Sequence, residues 1–270
     1  PCRGGPLSDR YESAERVVDN AGRPYHIGVG PGEVAPQILL VGDPARAERA
    51  AKRFSTLEGS WRNREFTTFT GEFEGVRTTV MATGIGCDNT EIAVIELAQL
   101  IESAVLIRAG TCGAVQPDLS IGDLVVTWGG VRLENTSTYF VPEGYPAVAH
   151  PEVITALSNA AEEVGAPWRL GMTATAPGFY GAQARNVEKF PPRYPNLIED
   201  LARIGVANLE METSTLLTLA SLGGFRAGSV CTVFAERAAN RFVAPDEKHT
   251  LEDRVVDVAL RALKSLGMQG

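Results

Sequence analysis

Residues 106–126, LIRAGTCGAVQPDLSIGDLVV, decide the fold. The first part completes an apolar run, 104–107, that predicts a buried strand, and the last part begins a second strand over 124–127. Between them, Arg108 opens a short polar loop, 108–111, and Gly122 with Asp123 makes a turn. Short apolar runs of this kind are typical of strands that are covered on both faces of a sheet.

The rest of the chain continues this alternation of strands and helices. Further strands are predicted at 38–41, 77–82, 170–176, 206–209 and 229–234, and helices at 45–54, 151–163, 212–221 and 251–266. Asn89 is a suitable N-cap for one more helix. The pattern predicts an α/β fold with a mostly parallel sheet. We expect one domain over residues 25–270, preceded by a mobile N-terminal arm, residues 1–24, which has no sustained period.

Composition narrows the classes of function. The chain has 270 residues and a net charge of −8, which argues against nucleic acid or a membrane surface as partner, since both require a basic field. No apolar run approaches the roughly 18 residues of a membrane helix, and the N-terminus lacks the apolar core of a secretory signal. Four cysteines without a CxxC pair and three widely spaced histidines argue against disulfides and a metal site. We therefore expect a cytoplasmic protein that acts on a small molecule.

Three glycine-containing segments follow predicted strands and share one chemistry. They are GDPAR (42–46), TGIG (83–86) and RAGT (108–111). Glycine lets the backbone approach an anion, a helix N-terminus stabilises it, and a planar guanidinium binds phosphate through two hydrogen bonds. Each segment alone is better explained as a turn with a solvated arginine, but together they indicate a phosphate cradle. A dinucleotide-binding fingerprint is incomplete, because the third glycine and the later acidic residue are missing, and a Walker loop is absent.

Two polar pairs also carry suitable chemistry. Glu210 and Glu212 would share one face if their strand continues, and carboxylates accept hydrogen bonds from sugar hydroxyls. Gln183 offers a donor beside an acceptor, complementary to the imide edge of a pyrimidine, and Arg185 follows it closely. Taken alone, the first pair is better explained as partners of a helix dipole and the second as solvated side chains. No G-x-S-x-G elbow or Ser/His/Asp order supports a hydrolase.

Taken in order, the motifs resemble those of the nucleoside phosphorylase family, and most closely its uridine phosphorylase branch. The segments that carry the resemblance are YHIGV (25–29), VGDPAR (41–46), REFTTFTGEFEG (64–75), TGIG (83–86), LIRAGTCGAVQPDLSIGDLVV (106–126), FYGAQAR (179–185), NLEMETSTLLTLAS (208–221) and FRAGSVCTV (225–233). The resemblance implies a three-layer α/β/α sandwich around a mixed, barrel-like central sheet. It also implies a homodimer with shared active sites, or a hexamer built as a trimer of dimers.

The resemblance assigns roles to individual residues. Phosphate would be bound by Gly42, Arg46, Arg108 and Thr111, and by Arg64 from a neighbouring subunit. Ribose would be held by Glu210, Met211 and Glu212, and by His26 reaching across the dimer interface to the 5′-hydroxyl. The base would be read by Phe179, Gln183 and Arg185, with Arg237 supporting its O4 side. Some bacterial members bind a monovalent cation between subunits at positions that correspond here to Glu65, Ile85 and Asn89, where Asn89 replaces the usual serine.

The implied reaction is reversible phosphorolysis of uridine, deoxyuridine or thymidine, in which phosphate attacks C1′ and releases the base and a pentose 1-phosphate. Arg108, Glu212 and Arg185 would carry the catalysis, and no cofactor is expected because phosphate is a co-substrate. Purine-cleaving relatives have an aspartate after the strand that corresponds to 229–234. This chain reads Ala-Glu-Arg at 235–237 and has no aspartate before Asp246, which favours pyrimidines.

Two alternatives stay open at this point. One is a purine nucleoside phosphorylase, and the other is a non-catalytic nucleoside-binding or storage relative with the same fold. Ala184 departs from the Gly or Glu of many relatives, and Phe234 with Ala235 replaces an aliphatic pair beside the base. Because several arginines would converge on one phosphate, we expect a site that is locally positive on an acidic body.

Overall fold

A computed structural model describes residue 11 and residues 13–268, so residues 1–10 and 12 of the predicted arm lie outside the described residues. The strands are β1 (Gln37–Val41), β2 (Thr56–Asn63), β3 (Phe66–Phe73), β4 (Val76–Ala82), β5 (Val105–Ala114), β6 (Leu124–Arg132), β7 (Ala147–Val148), β8 (Trp168–Thr175), β9 (Val206–Glu210), β10 (Arg226–Glu236) and β11 (Arg241–Phe242). The helices are α1 (Pro44–Ala51), α2 (Cys87–Ala98), α3 (Pro151–Val164), α4 (Leu197–Arg203), α5 (Thr213–Leu222) and α6 (Lys248–Gly267).

Five strands close into a barrel within the sheet. Their order is β10, β6, β8, β9 and β5, and the ring closes because β5 also pairs with β10 from Val105 opposite Arg226 to Ala114 opposite Glu236. From β5 the sheet continues outward through β1, β4 and β3 to β2. The barrel-like sheet predicted from the family resemblance is therefore confirmed.

The sheet is mixed, so the prediction of a mostly parallel sheet from strand–helix alternation is wrong. The central pairs β1–β4, β1–β5 and β5–β10 are parallel, whereas β2, β3 and β4 form an antiparallel meander and β9 runs antiparallel to β5. Sequence reasoning assigned no strands to 56–73. Threonine, glycine and aromatic residues alternate in that stretch and no long aliphatic run marks it.

Helices cover both faces of the sheet and make three layers. On one face, residues of α1, α3 and α6 form one buried apolar cluster with Leu39 of β1 and Ile107 of β5. On the other face, residues of α2 and α5 form a second cluster with Ile38 and Leu106, the neighbours of those residues along the same strands. Because both faces are buried, these strands read as continuous apolar runs. Among the described residues, none of the helices has the length and hydropathy needed to cross a bilayer.

Three element boundaries differ from the predictions in ways that bear on the site. Strand β5 continues through Arg108 to Ala114, so the predicted polar loop 108–111 lies inside a strand that pairs with β10. Helix α2 begins at Cys87 with Gly86 as N-cap, so Asn89 lies in its first turn and is not the cap. Strand β9 ends at Glu210 and the next helix begins at Thr213, so Glu210 and Glu212 do not continue one strand.

Candidate active site

A cavity of about 650 Å³ opens where β5, β9 and β10 meet the N-termini of α1 and α2 and the loop that carries residues 179–185. Most of the sequence-predicted site residues line its wall, namely Gly42, Arg46, Arg108, Thr111, Phe179, Gln183, Arg185, Glu210, Met211 and Glu212. His26, Arg64 and Arg237 are not part of the wall formed by the described residues. The fold therefore brings together segments from residue 42 to residue 212 in one concave site.

Arg108 lies at the centre of the site because two carboxylates hold its guanidinium. Its Nε donates to Glu210 Oε2 at 2.9 Å, and its Nη2 donates to Glu212 Oε2. All three side chains are buried. Burial disfavours the charge of Arg108, but the two carboxylates raise its pKa above the ordinary value, so the guanidinium stays protonated. A planar group held by two carboxylates through two of its nitrogens has one fixed orientation.

Gly110 makes room for this guanidinium. A Cβ atom at position 110 would lie 2.5 Å from Nη1 and 2.6 Å from Cζ of Arg108, closer than van der Waals contact allows. The sequence suggested that this glycine permits close approach of an anion to the backbone. In the structure it permits the close approach of the arginine two residues earlier on the same strand.

Glu210 is saturated with protein donors. Besides Arg108, it accepts hydrogen bonds from Thr175 Oγ1 at 2.7 Å, from the Glu212 amide at 2.9 Å and from the Thr213 amide at 3.0 Å. Burial alone would raise the pKa of Glu210, but the Arg108 charge and these hydrogen bonds hold it below its ordinary value. The carboxylate therefore anchors both Arg108 and the start of α5, and its oxygens are occupied before any ligand binds.

Glu212 has fewer protein partners. Its Oε1 accepts from the Gly86 amide at 2.6 Å, at the N-terminus of α2, and its Oε2 faces Arg108. Burial, together with the neighbouring charge of Glu210, raises the pKa of Glu212 against the opposing effect of Arg108. Met211 also lines the cavity, and its carbonyl accepts from Cys87 Sγ at 3.1 Å. Of the two carboxylates, Glu212 is the one with capacity left for a ligand hydroxyl.

Arg46 faces the same end of the cavity from the first turn of α1. Its Nη2 donates to Glu252 Oε1 at 2.8 Å and its Nη1 to the Ala109 carbonyl at 3.3 Å. Its Nε is buried and has no hydrogen-bond partner within the part of the chain that the structure describes. Because the Arg46 side chain lines the cavity, its charged guanidinium is well suited to a ligand anion there. Gly42 packs beside it, and a Cβ there would lie 3.2 Å from the Gly84 carbonyl.

The cavity wall of one chain carries charges of both signs. Its ionisable side chains are Arg46, Arg108, Arg185, Asp43, Glu65, Glu210 and Glu212. Three cations thus face four acidic groups within one chain. The expectation of a locally positive site counted Arg64 from a partner chain as well, and it stays a prediction. The buried carboxylates fix the arginines in the free protein, which preorganises the site but offsets its positive charge.

The segment 179–185 builds the opposite end of the cavity. A short 3₁₀ turn at Gly181–Gln183 is followed by Ala184 in the left-handed region, φ 53°, and Gln183 is buried in the wall. The Arg185 guanidinium carbon lies 3.9 Å from the Phe179 ring centroid, and its Nε donates to the Phe179 carbonyl at 3.0 Å. Burial lowers the pKa of Arg185. An amide, a guanidinium and an aromatic ring therefore face one space.

Arg237 lies behind this end and supports it. Its Nη2 donates to the Gln183 carbonyl at 2.9 Å, and its Cγ would lie 3.1 Å from a Cβ on Gly113. Burial and the nearby charge of Arg185 lower the pKa of Arg237 to about 10. Its Nη1 is buried without a hydrogen-bond partner among the described residues. The contact observed for the Arg237 guanidinium is thus with the backbone carbonyl of Gln183.

His26 and Arg64 lie together outside the cavity of their own chain. Arg64 occupies the tight turn between β2 and β3, where its φ is 51°. Its Nη2 donates to the Tyr25 hydroxyl at 2.9 Å, and its Cζ lies 5.0 Å from the centroid of the Tyr25 ring. His26 follows Tyr25, and the two rings meet edge to face at 4.9 Å. We call Tyr25, His26 and Arg64 the edge cluster. That these side chains act in the site of another subunit stays a prediction.

Glu65, Ile85 and Asn89 all line the cavity. Ile85 is 72% exposed, and Asn89 Nδ2 would lie 2.7 Å from a Cβ on Gly84, whose φ is 77°. Among the described residues there is no group of three or more His, Cys, Asp or Glu side chains arranged to hold a metal ion. The monovalent-cation site between subunits stays a prediction.

Sequence reasoning missed residues that support the site from a distance. Glu252, on α6, pairs with Arg46 across 206 positions of the chain, and Glu96, on α2, pairs with His26. Both carboxylates interrupt an otherwise apolar helical stripe, and a charged residue within such a stripe is the signal that marks a buried pair. Phe242 lines the cavity from the two-residue strand β11, for which no sequence signal exists.

Comparison with known proteins defines the class. A family model described as the phosphorylase superfamily matches residues 36–267, and the chain belongs to that superfamily. The uridine phosphorylase of Thermococcus kodakarensis is 43% identical to this chain over 244 residues, which cover 90% of this chain and 88% of that protein. The uridine phosphorylase of Haemophilus influenzae is 38% identical over 247 residues, covering 90% of this chain and 98% of that protein.

A solved structure points the same way. The Trypanosoma brucei nucleoside phosphorylase, described as showing uridine phosphorylase activity, matches with a TM-score of 0.86 and 26% identity, covering 92% of this chain and 99% of that chain. The family resemblance drawn from the motifs, and the α/β sandwich that it implied, are therefore confirmed.

Proposed function

We propose that this chain is a uridine phosphorylase, a pentosyltransferase that converts uridine and phosphate into uracil and ribose 1-phosphate. One observation carries the proposal: a single cavity has Arg46 and Arg108 at one end and Gln183 with Arg185 at the other. Its volume of about 650 Å³ lies within the range of small-molecule sites. The uridine phosphorylases among its relatives support the same reaction.

Phosphate binds at the end built by Gly42, Arg46, Arg108 and Thr111. The guanidinium groups of Arg46 and Arg108 supply charged donors, and Thr111 supplies a hydroxyl. A phosphate oxygen forms the new bond to C1′ while the bond from C1′ to the base nitrogen breaks, and the bonding pair moves onto the base. Holding both reactants in one cavity contributes by proximity.

Charge develops at both ends of the breaking bond. The ribose becomes cationic beside phosphate and Glu212, and the uracil becomes anionic beside Arg185. Gln183 presents a donor and an acceptor to the imide edge of the base, and Phe179 packs on its face. Such preorganised groups are usually the largest catalytic contribution, about 3 kcal/mol for one donor, or roughly a hundredfold in rate.

The two carboxylates have different tasks. Glu212, with Met211 beside it, holds the ribose hydroxyls, because its carboxylate has capacity left for another hydrogen bond. Glu210 was assigned to ribose by resemblance, but its four protein donors support an indirect role, in which it holds Arg108 in position. We therefore propose Arg108, Glu212 and Arg185 as the catalytic residues.

A second copy of the chain completes the site. In this proposal the edge cluster crosses a two-fold interface, so that Arg64 reaches the phosphate and His26 reaches the 5′-hydroxyl of the nucleoside in the partner's cavity. The exposure of Arg64 supports this arrangement, since a guanidinium held on Tyr25 at the surface of one chain can contact a second chain. The enzyme then works without a cofactor, as a dimer or hexamer, in cytoplasmic pyrimidine salvage.

The test is a phosphorolysis assay with uridine, thymidine, inosine and adenosine, each with and without phosphate. We expect phosphate-dependent release of uracil from uridine to be the fastest reaction. Release of uracil that does not need phosphate, or faster turnover of inosine than of uridine, would contradict the proposal. A complete absence of turnover would favour a nucleoside-binding relative.

Arg185→Ala tests the assignment of the base end. We expect this variant to lose at least a hundredfold in kcat/KM for uridine. Its unfolding temperature should stay near that of the wild type, because the side-chain contacts observed for Arg185 are with Phe179 and Gln183 of the same loop. Arg193→Ala is the matched control, since Arg193 also stacks on an aromatic side chain, at 5.1 Å from the Tyr194 ring centroid, but lies outside the cavity. Wild-type kinetics for Arg185→Ala would remove the assignment.

A further inference from the structure

The loop that carries His26 is bound by one buried carboxylate. Glu96, in the last turns of α2, accepts His26 Nδ1 at 2.6 Å, the His26 amide at 3.1 Å and the Ile27 amide at 2.8 Å. Asn63 closes the loop from the other side by donating to the Tyr25 and His26 carbonyls at 2.8 and 2.9 Å. Main chain and imidazole of His26 are therefore held by the same carboxylate.

This arrangement selects one form of the imidazole ring. A carboxylate only accepts hydrogen bonds, so the proton of a neutral His26 ring lies on Nδ1. Nε2 then carries a lone pair and acts as an acceptor. Nε2 makes no hydrogen bond with any residue that the structure describes, and the side chain is 32% exposed. The ring thus presents a fixed acceptor to whatever faces the edge cluster.

We infer that Glu96 is a positioning residue, which holds His26 in the Nδ1–H form so that Nε2 accepts a hydrogen bond from the 5′-hydroxyl of a nucleoside bound in the partner subunit. This inference rests on the proposed function, because that function supplies the nucleoside. A hydroxyl is a suitable ligand, since it donates one proton to a neutral ring nitrogen. Glu96 itself touches neither substrate nor phosphate.

Glu96→Gln separates this role from simple packing, because it preserves shape and changes only the pattern of donors. The glutamine oxygen can satisfy either the two backbone amides or the imidazole N–H, and its NH₂ group must face the other. With the oxygen on the His26 and Ile27 amides, the NH₂ group meets Nδ1 and requires a lone pair there. The proton then moves to Nε2, which becomes a donor in place of an acceptor.

The kinetic test compares uridine with 5′-deoxyuridine, which lacks the hydroxyl. For Glu96→Gln we expect the KM for uridine to rise about tenfold, with kcat within twofold and with 5′-deoxyuridine kinetics unchanged. Glu91→Gln, on the same helix and away from His26, is the control and should match the wild type. His26→Ala should remove the preference for the 5′-hydroxyl, and adding Glu96→Gln to it should cause no further loss. An equal decline for both substrates in Glu96→Gln would overturn the proposal.

A spectroscopic test does not depend on turnover. The chain has three histidines, so ¹⁵N-histidine labelling with His26→Ala as the assignment control resolves the His26 ring nitrogens. We expect the Nδ1–H form in the wild type at a pH where the ring is neutral, and the Nε2–H form in Glu96→Gln or in a second variant, Glu96→Ala. Retention of the Nδ1–H form in both variants would overturn the proposal. If the wild type fails to cleave uridine, the proposed function fails, while the ring measurement still reports on Glu96.

Discussion

Glu210→Gln distinguishes an anchor of Arg108 from a ribose-binding carboxylate. Every group around the Glu210 carboxylate is a donor. Arg108 Nε and the Glu212 and Thr213 amides can only donate, and the Thr213 amide lies 3.0 Å from both carboxylate oxygens. The NH₂ group of a glutamine would therefore face a donor in either orientation.

The expected loss of stability in Glu210→Gln depends on which contacts Arg108 keeps when its ion pair with Glu210 is removed. Removing one partner of a buried ion pair costs roughly 3–5 kcal/mol. Arg108 keeps its contact with Glu212, so we expect the lower end of that range, about 3 kcal/mol. For a chain of this size that loss corresponds to a decrease of roughly 6–12 °C in unfolding temperature. Displacement of the guanidinium by about 1 Å would also reduce kcat/KM by about a hundredfold.

Two assays on the same preparations test this expectation. Thermal unfolding reports the loss of stability, and uridine phosphorolysis at varied phosphate reports the displacement of Arg108 through the KM for phosphate. Glu65→Gln is the matched control, because Glu65 also lines the cavity but accepts no hydrogen bond from a described residue. We expect that control to keep its unfolding temperature within about 2 °C of the wild type, as surface substitutions usually do.

The refuting result is specific. If Glu210→Gln unfolds at the wild-type temperature and raises only the KM for uridine, then Glu210 binds ribose and does not anchor Arg108. If stability falls but the KM for phosphate stays constant, Glu210 supports the fold without positioning the guanidinium.

Two further changes probe the anion end. Gly110→Ala places a Cβ 2.5 Å from Arg108 Nη1, so we expect the KM for phosphate to rise at least tenfold, whereas Gly129→Ala, with its nearest contact at 3.7 Å, should behave as the wild type in the same assay. Burial opposes ionisation of Glu252, but Arg46 holds the pKa of this carboxyl below its ordinary value of 4.5. The ionised Glu252 therefore stabilises the fold fully above pH 4.5, and this stabilisation is lost as the pH falls through the lowered pKa of the folded state. Urea unfolding should therefore show a stability gap between wild type and Glu252→Gln at pH 7 that narrows below pH 4, and an equal gap at both values would contradict this linkage.

Local sequence patterns account for the layered α/β fold but not for the closure of the barrel. Apolar runs at 38–41 and 104–107 predict strands, because both faces of those strands are buried. Closure depends on β5 pairing with β10 more than a hundred residues later, and no local pattern reports such a contact. For the same reason the polar residues after Ile107 predicted a loop, although pairing with β10 keeps them in a strand.

In the candidate site too, local sequence motifs predict some residues, whereas others are recognised only from their tertiary contacts. Motifs place Arg108, Gln183 and Arg185 in one cavity, because each lies in a segment with a recognisable spacing. The carboxylates that orient the site, Glu96 and Glu252, belong to ordinary amphipathic helices, and only tertiary contact reveals their partners. Glu210 and Glu212 have different environments because the chain turns between the end of β9 and the start of α5. The sequence Glu-Met-Glu does not reveal that turn.

One end of the cavity is built from barrel strands and the other from a loop, and these two kinds of element differ in how readily they tolerate mutation. Arg108 and Glu210 project from strands of a closed barrel, where an insertion would change the register of every neighbouring strand. Gln183 and Arg185 project from a loop, and loops tolerate changes of sequence and length. Under the proposed assignment, substitutions at loop positions such as Gln183 can change the nucleobase preference while the barrel keeps Arg108 and its anchor Glu210 in place.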